Sequence, residues 1–363
     1  MSTLAAELPV TTPWAPKPLR VYAVGTAPAG TGDDPLSTMQ WHLDHRHGTR
    51  LSALPFDADS GWVIGWLNAR AEVPGLVQVR AGSSRDYDDM PYYAVADGHR
   101  LTVADLALGR PQLTEEAFRV KERLVGDAIP SRLQVSIPNA LDLAFFVSGS
   151  AEASAEWMPE MQAMVAGEVR EIADRWSDGV VFQLESVTIL LAYARTPRED
   201  WPLLTRELAT QVAGLVAAAP NSEWVLHLCY GDIGHQPLIV PTDLSTAVEF
   251  LNALAELLAE LGIAMPTVHL PVTCGDAAPP TDSQFYAALR DLRRGVAVMA
   301  GVVAESYPDQ TRTALGLVVD ALAGPVEGVG AGCGHGRRTN AAAAANTALA
   351  ANLVHAWTAS ASR

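Results

Sequence analysis

Trp224-Val-Leu-His-Leu-Cys-Tyr230 is the stretch that decides the fold. Its apolar run from Trp224 to Leu228 reads as a short β-strand, with the His-x-Cys pair at its end. A strand alternates its side chains, so residues two apart point the same way. His227 and Cys229 therefore aim an imidazole and a thiol at one point. A second sulfur follows much later, Cys333 in the glycine-rich run Gly330-Ala-Gly-Cys-Gly-His-Gly-Arg337. A neutral imidazole with thiolates is a donor set that Zn²⁺ prefers. Two ligands on one strand end and a third far down the chain suit a catalytic metal site, not the closely spaced knuckle of a structural zinc module.

Outward from this strand, short β-type runs alternate with helical ones. Strands are expected over Leu19–Val24, Leu76–Arg80, Arg132–Ile137, Gly179–Glu185, Trp224–Cys229, Thr267–Val272, Val296–Val303 and Val326–Ala331. Amphipathic stretches lie near Glu115–Val125, Ala153–Trp176, Leu203–Ala219, Thr242–Leu261, Ser283–Arg293, Asp309–Leu322 and Asn340–Trp357. Eight strands, most successive pairs separated by a helix, predict an α/β fold: one (β/α)₈ TIM barrel. Residues 1–18, rich in Pro and Thr, read as a flexible lead, and 19–363 as the barrel. The irregular stretch of about 28–74, with Trp41, His42, His45, His47, Trp62 and Trp66, reads as an insertion after the first strand, either a lid or a packed subdomain.

The barrel reading gathers the cysteines. Active sites in this fold form at the carboxyl ends of the strands. Cys229 ends the fifth expected strand, Cys274 follows the sixth and Cys333 follows the eighth, so all three cysteines of the chain fall on one rim.

Composition narrows the partners. The 363 residues carry a net charge of −16 with no basic cluster, which argues against nucleic acid and anionic membranes. The first residues lack a basic region followed by an apolar one, and no apolar run is long enough to span a bilayer. Three cysteines make no disulfide framework. A cytoplasmic, reducing location is the expectation, in which cysteine serves as metal ligand or nucleophile.

The chain resembles the catalytic barrel of the cobalamin-independent methionine synthase family. His227-Leu-Cys-Tyr230 matches that family's His-x-Cys, and Cys333-Gly334 followed by Arg337 matches its last ligand segment. Val24-Gly-Thr-Ala-Pro28 looks like its Gly-Ser-Phe-Pro turn. Ser136-Ile-Pro-Asn-Ala-Leu-Asp142 sits at its Gly-Pro-x-Thr turn, and Phe182-Gln-Leu-Glu-Ser186 is similar to a Gln-Ile-Asp-Glu-Pro segment. The resemblance implies a Zn²⁺ cofactor held by His227, Cys229 and Cys333, with His269 aligned where the family has a glutamate ligand. Cys274 and Glu305 are rival fourth ligands. It also implies that Glu185 orients a substrate amine, while Gly25 and Thr26 offer backbone contacts to a carboxylate.

The implied reaction moves a methyl or other alkyl group from a small-molecule donor to a small thiol such as homocysteine, activated as a zinc-bound thiolate. Two cysteinates make the ion electron-rich, which suits thiol activation better than water activation. Each residue also has a plainer reading. His227 and Cys229 can be core residues, since a free cysteine packs as a small hydrophobe. Cys333 can sit in a tight glycine loop, His269 can be a satisfied strand-end histidine, and Glu185 can be a rim carboxylate in a salt bridge. Arg337 and Arg338 can hold an anion or be a solvated pair. Decarboxylation or carbon–sulfur lyase chemistry on a related barrel, or a non-catalytic binding role, are the alternative functions.

Overall fold

The computed structural model describes residues 19–32, 34–59, 61–126 and 129–361. The lead expected over 1–18 lies outside them. Ten strands form among the described residues: β1 Arg20–Val21, β2 Leu54–Pro55, β3 Leu76–Arg80, β4 Tyr92–Val95, β5 Leu133–Pro138, β6 Val180–Ser186, β7 Glu223–Leu228, β8 Thr267–Pro271, β9 Val298–Val303 and β10 Gly328–Ala331. Eight of them make one curled parallel sheet in the order β1-β10-β9-β8-β7-β6-β5-β2, flanked by helices. This is a (β/α)₈ TIM-barrel-like architecture, as expected. β1 and β2 stand at the two ends of the hydrogen-bonded order. Side chains reach across the interior near that seam: Gln134 Nε2 donates to the Ala23 carbonyl (2.9 Å) and to Gln183 Oε1 (3.0 Å).

Strand alternation builds two cores. Val180, Phe182 and Leu184 of β6, Trp224, Leu226 and Leu228 of β7, and Val268 and Leu270 of β8 belong to the large core shared with the helices. The intervening positions face inward. There Tyr22, Val24, Ala53, Val181, Val225 and Met299 form a small apolar plug. Next to it the inward positions turn polar, with Gln183, Glu185, His227 and His269, all buried. Parallel strands buried on both faces read as near-continuous apolar runs, and polar residues within them stand out.

The barrel's second strand differs from the expected one. Leu76–Arg80 does form a strand, but it pairs antiparallel with Tyr92–Val95 in a separate two-stranded sheet. Four of its five residues are exposed, which no strand between two barrel neighbours allows. The barrel position belongs to Leu54–Pro55, fully buried and paired with β5, inside the stretch 28–74 read as an insertion. A two-residue strand is too short to show periodicity.

The main helices fall close to their expected places, including Ala151–Trp176, Trp201–Val216, Ser245–Glu260, Pro308–Leu322 and Asn340–Ala361. Ser283–Asp291 winds as a 3₁₀ helix. Ala140–Ser148 was not anticipated because its apolar residues cover most of its circumference, leaving no amphipathic stripe to recognise. Its ends carry local signals: Asn139 caps the first turn and Gly149 closes the last in the left-handed region, φ +82°.

Asp142 on that helix ties β6 to its neighbours. Its carboxylate accepts from Ser186 Oγ (2.6 Å), Val187 N (2.8 Å), Thr188 N (3.0 Å) and Thr188 Oγ1 (2.8 Å), with no exposed surface. Asp142→Ala strands these donors in the core, so a loss of about 2–4 kcal/mol in urea unfolding is expected. An unchanged midpoint would show that the segment is held by packing alone.

Candidate metal centre and cleft

Three strands paired in register set the centre. Glu185 of β6 is the Cα partner of His227 on β7, and His227 is the partner of His269 on β8. Cys229 lies just beyond β7, its N–H bonded to the Ser186 carbonyl (2.8 Å). Cys333 arrives from the loop after β10. Two glycines on the way to it are steric requirements: an added Cβ at Gly330 would lie 2.4 Å from the Tyr22 carbonyl oxygen, and one at Gly332 2.4 Å from that of Thr273. Only bare backbone can pass this close, and the passage delivers the sulfur to the rim.

His227, Cys229 and Cys333 converge, with their donor atoms all within 4.8 Å of one another. The sulfurs are 3.8 Å apart. That is far beyond a disulfide of about 2.05 Å. It equals the separation of about 3.8 Å that two Zn–S bonds of about 2.3 Å span at a tetrahedral angle. His227 Nε2 is buried with no hydrogen-bond partner among the described residues, as a donor atom reserved for an ion would be. The contact with Cys229 lowers the Cys333 thiol well below the ordinary range, with His227 and the Gly334 N–H helping. Cys229 is raised in turn, by that same contact and by burial. The residues fit a metal ion of the zinc type.

His269 stands behind this group, not beside the sulfurs. Its Nδ1 meets His227 Nδ1 at 2.8 Å. One nitrogen must donate and the other accept. If His227 uses the Nε2 lone pair on a metal, its proton sits on Nδ1 and His269 accepts it. Burial, then the facing His227, hold His269 well below the usual histidine range, so it stays neutral and able to accept. A histidine placed this way fixes the tautomer and the aim of the ligand in front of it.

The rival ligands lie elsewhere. Glu305 is held by Arg338 Nε (3.1 Å) and by Asn346 Nδ2 (2.7 Å). Cys274 is half-buried and outside the converging trio. Arg338, one of the two arginines read as a solvated pair, is buried, because Glu305 and the Gly334 and Gly275 carbonyls satisfy its guanidinium.

The trio opens into a cleft of about 610 Å³ including its open mouth. Glu185, Thr26, Trp62, Tyr87, Asp232 and Arg337 are among its walls. Burial raises Glu185 to about 7; His227 and Arg110 oppose the shift, and Asp57 adds to it. Gly25 lies in the loop beyond β1 with φ +96°, its carbonyl meeting His42 Nε2 at 3.2 Å. An added Cβ there would lie 2.9 Å from Ser136 Oγ. Thr26 Oγ1 accepts from the Gly336 N–H (3.2 Å) and so anchors the Cys333 loop.

Of the aromatic and histidine residues in the 28–74 stretch, Trp62 lines the cleft. Trp41 bonds to Asn340 and Trp66 to the Leu106 carbonyl, both in packing roles. Sequence reasoning missed Asp232 and Tyr87. Asp232 was within reach, three residues past Cys229 on the same rim. Tyr87 sits beside the unforeseen hairpin and carried no signal.

No protein-family model matches the chain, and no curated protein does. Among solved structures, a B12-independent methionine synthase from Shewanella sp. W3-18-1, in complex with selenomethionine, superposes with a TM-score of 0.60 at 12% identity, covering 94% of this chain and 99% of that one. A methyltransferase from Methanosarcina mazei gives a TM-score of 0.46 at 12% identity, covering 93% and 94%. The first likeness shows that this chain has the fold of that methionine synthase.

If His269 aims His227, His269→Ala should weaken Zn²⁺ binding by about 10–100-fold yet keep full occupancy at saturation. His227→Ala should lose the ion. Competition with a chromogenic chelator measures both, and equal losses would make His269 a ligand.

Proposed function

We propose that this protein is a zinc-dependent transferase that moves a methyl or other alkyl group to a small thiol. One observation carries the reading: an imidazole and two sulfurs converge at the wall of an open cleft, with the sulfurs spaced for a tetrahedral ion. A zinc ion held by His227, Cys229 and Cys333 would supply Lewis acidity, lowering the pKa of a thiol that joins it.

The chain's own residues supply the rest. His269, meeting His227 Nδ1, fixes the tautomer and the aim of His227. Val24, Trp62, Val187 and Ile233 give the cleft apolar walls, which exclude water from a nucleophilic sulfur and fit an alkyl donor. Glu185, raised to about 7, keeps its proton over part of the neutral range and can hydrogen-bond the polar head of the acceptor. Thr26, at the foot of the Cys333 loop, faces the same space; with Gly25 it is the candidate contact for a carboxylate. The fold shared with a methionine synthase is consistent with this chemistry. No helix among the described residues is long and apolar enough to cross a membrane.

Elemental analysis of the protein, purified without chelator, should give about one zinc per chain, and Cys229→Ser should lose it. A metal-free wild type overturns the reading. In the cobalt-substituted protein, homocysteine should shift the thiolate-to-metal absorption. No response to any thiol would remove thiol activation and leave only the metal site.

A further inference from the structure

Beside the sulfurs, a group of buried acceptors has no donor to meet it. Asp232 lies in the loop after β7 and lines the cleft with Cys229 and Cys333. Only 7% of its surface is exposed. Neither carboxylate oxygen receives a hydrogen bond from a described residue. The backbone there is fixed, because the Asp232 N–H donates to the Tyr87 hydroxyl (3.0 Å).

The facing side chain is His235, whose Nδ1 is 3.4 Å from Asp232 Oδ1. His235 Nε2 meets the backbone oxygen of Arg337. A carbonyl only accepts, so Nε2 carries a proton and donates there, leaving Nδ1 as the ring atom that faces Asp232. Nδ1 is also buried and without a hydrogen-bond partner. Both carboxylate oxygens and Nδ1 thus converge without a hydrogen-bond partner among the described residues. Each unpaired buried polar atom costs about 1–3 kcal/mol, so the cluster is poised for a donor that arrives with a ligand.

We propose that Asp232 and His235 bind the ammonium group of an amino-bearing thiol. An ammonium offers N–H donors in several directions, and its charge compensates the carboxylate. A single proton would satisfy one contact and leave the others open. Burial, reinforced by Cys333 and Asp276, raises Asp232 to about 8 while the charges of Arg338 and Arg337 oppose the shift, so a further cation favours its ionised form. The assignment rests on the thiol reading above and deepens it by moving the amine from Glu185 to Asp232. Glu185 already accepts a hydrogen bond from Gln183 Nε2.

Three probes separate the two ideas when bound to zinc-loaded wild type, Asp232→Asn and His235→Gln, with calorimetry and ligand-observed NMR as readouts. Homocysteine carries thiol and amine, 4-mercaptobutanoate lacks the amine, and 2-aminobutanoate lacks the thiol. Wild type should prefer homocysteine to 4-mercaptobutanoate by about tenfold or more, and Asp232→Asn should bring the two within about twofold. His235→Gln should give an intermediate ratio. A preference that survives undiminished in Asp232→Asn overturns the proposal and returns the amine to Glu185. Binding of 2-aminobutanoate that depends on Asp232, without any binding of 4-mercaptobutanoate, upholds the amine site and removes the thiol reading. No binding of either amine overturns the amine site.

Discussion

Unslipped pairing of three parallel strands is the constraint on which the site depends. Glu185, His227 and His269 stand abreast because β6, β7 and β8 pair residue for residue at this height. Strand side chains alternate, so a slip of one residue would exchange every inward side chain for an outward one. His227 would then enter the helix-facing core, and Leu226 or Leu228 would face the cleft. The apolar outward set, Phe182, Trp224, Leu226 and Val268 among it, prevents the slip because those side chains must remain under the helices. The packing that stabilises the barrel therefore also aims the polar groups.

The second sulfur depends on a different property, the smallness of glycine. Cys333 is 104 residues from Cys229, and nothing local brings them together. The strand and loop that carry Cys333 pass so close to the backbones after β1 and β8 that Gly330 and Gly332 have no space for a side chain. The glycine run first read as a tight loop is a close-packed passage, and its product is a sulfur 3.8 Å from its partner.

Burial then sets the electrostatics. Glu185 and Asp232 are both raised by desolvation, to about 7 and about 8, and share the cleft with two sulfurs. Such a concentration of acceptors is costly without cations, and perturbed groups gathered in a cleft mark functional sites. Arg110 is committed to Asp57 at 2.7 Å and Arg338 to Glu305, so each already has a carboxylate partner.

The sequence by itself determined the barrel, the strand that ends in His227 and Cys229, and the common rim of the cysteines. Strand alternation and helix periodicity are local patterns, so they can be read from a single chain. His227, Cys229 and Cys333 were legible because their spacing and rim position required no knowledge of contacts. Tertiary structure alone decided that Leu54–Pro55, not Leu76–Arg80, fills the second barrel position, because burial of so short a strand leaves no period to read. It alone decided that His269 backs His227, that Arg338 occupies Glu305, and that Asp232 and His235 face each other at 3.4 Å. These outcomes turn on which side-chain atom meets which across long chain separations or around a turn. Residue type and spacing fix which strand end a group occupies; packing fixes where its lone pairs point.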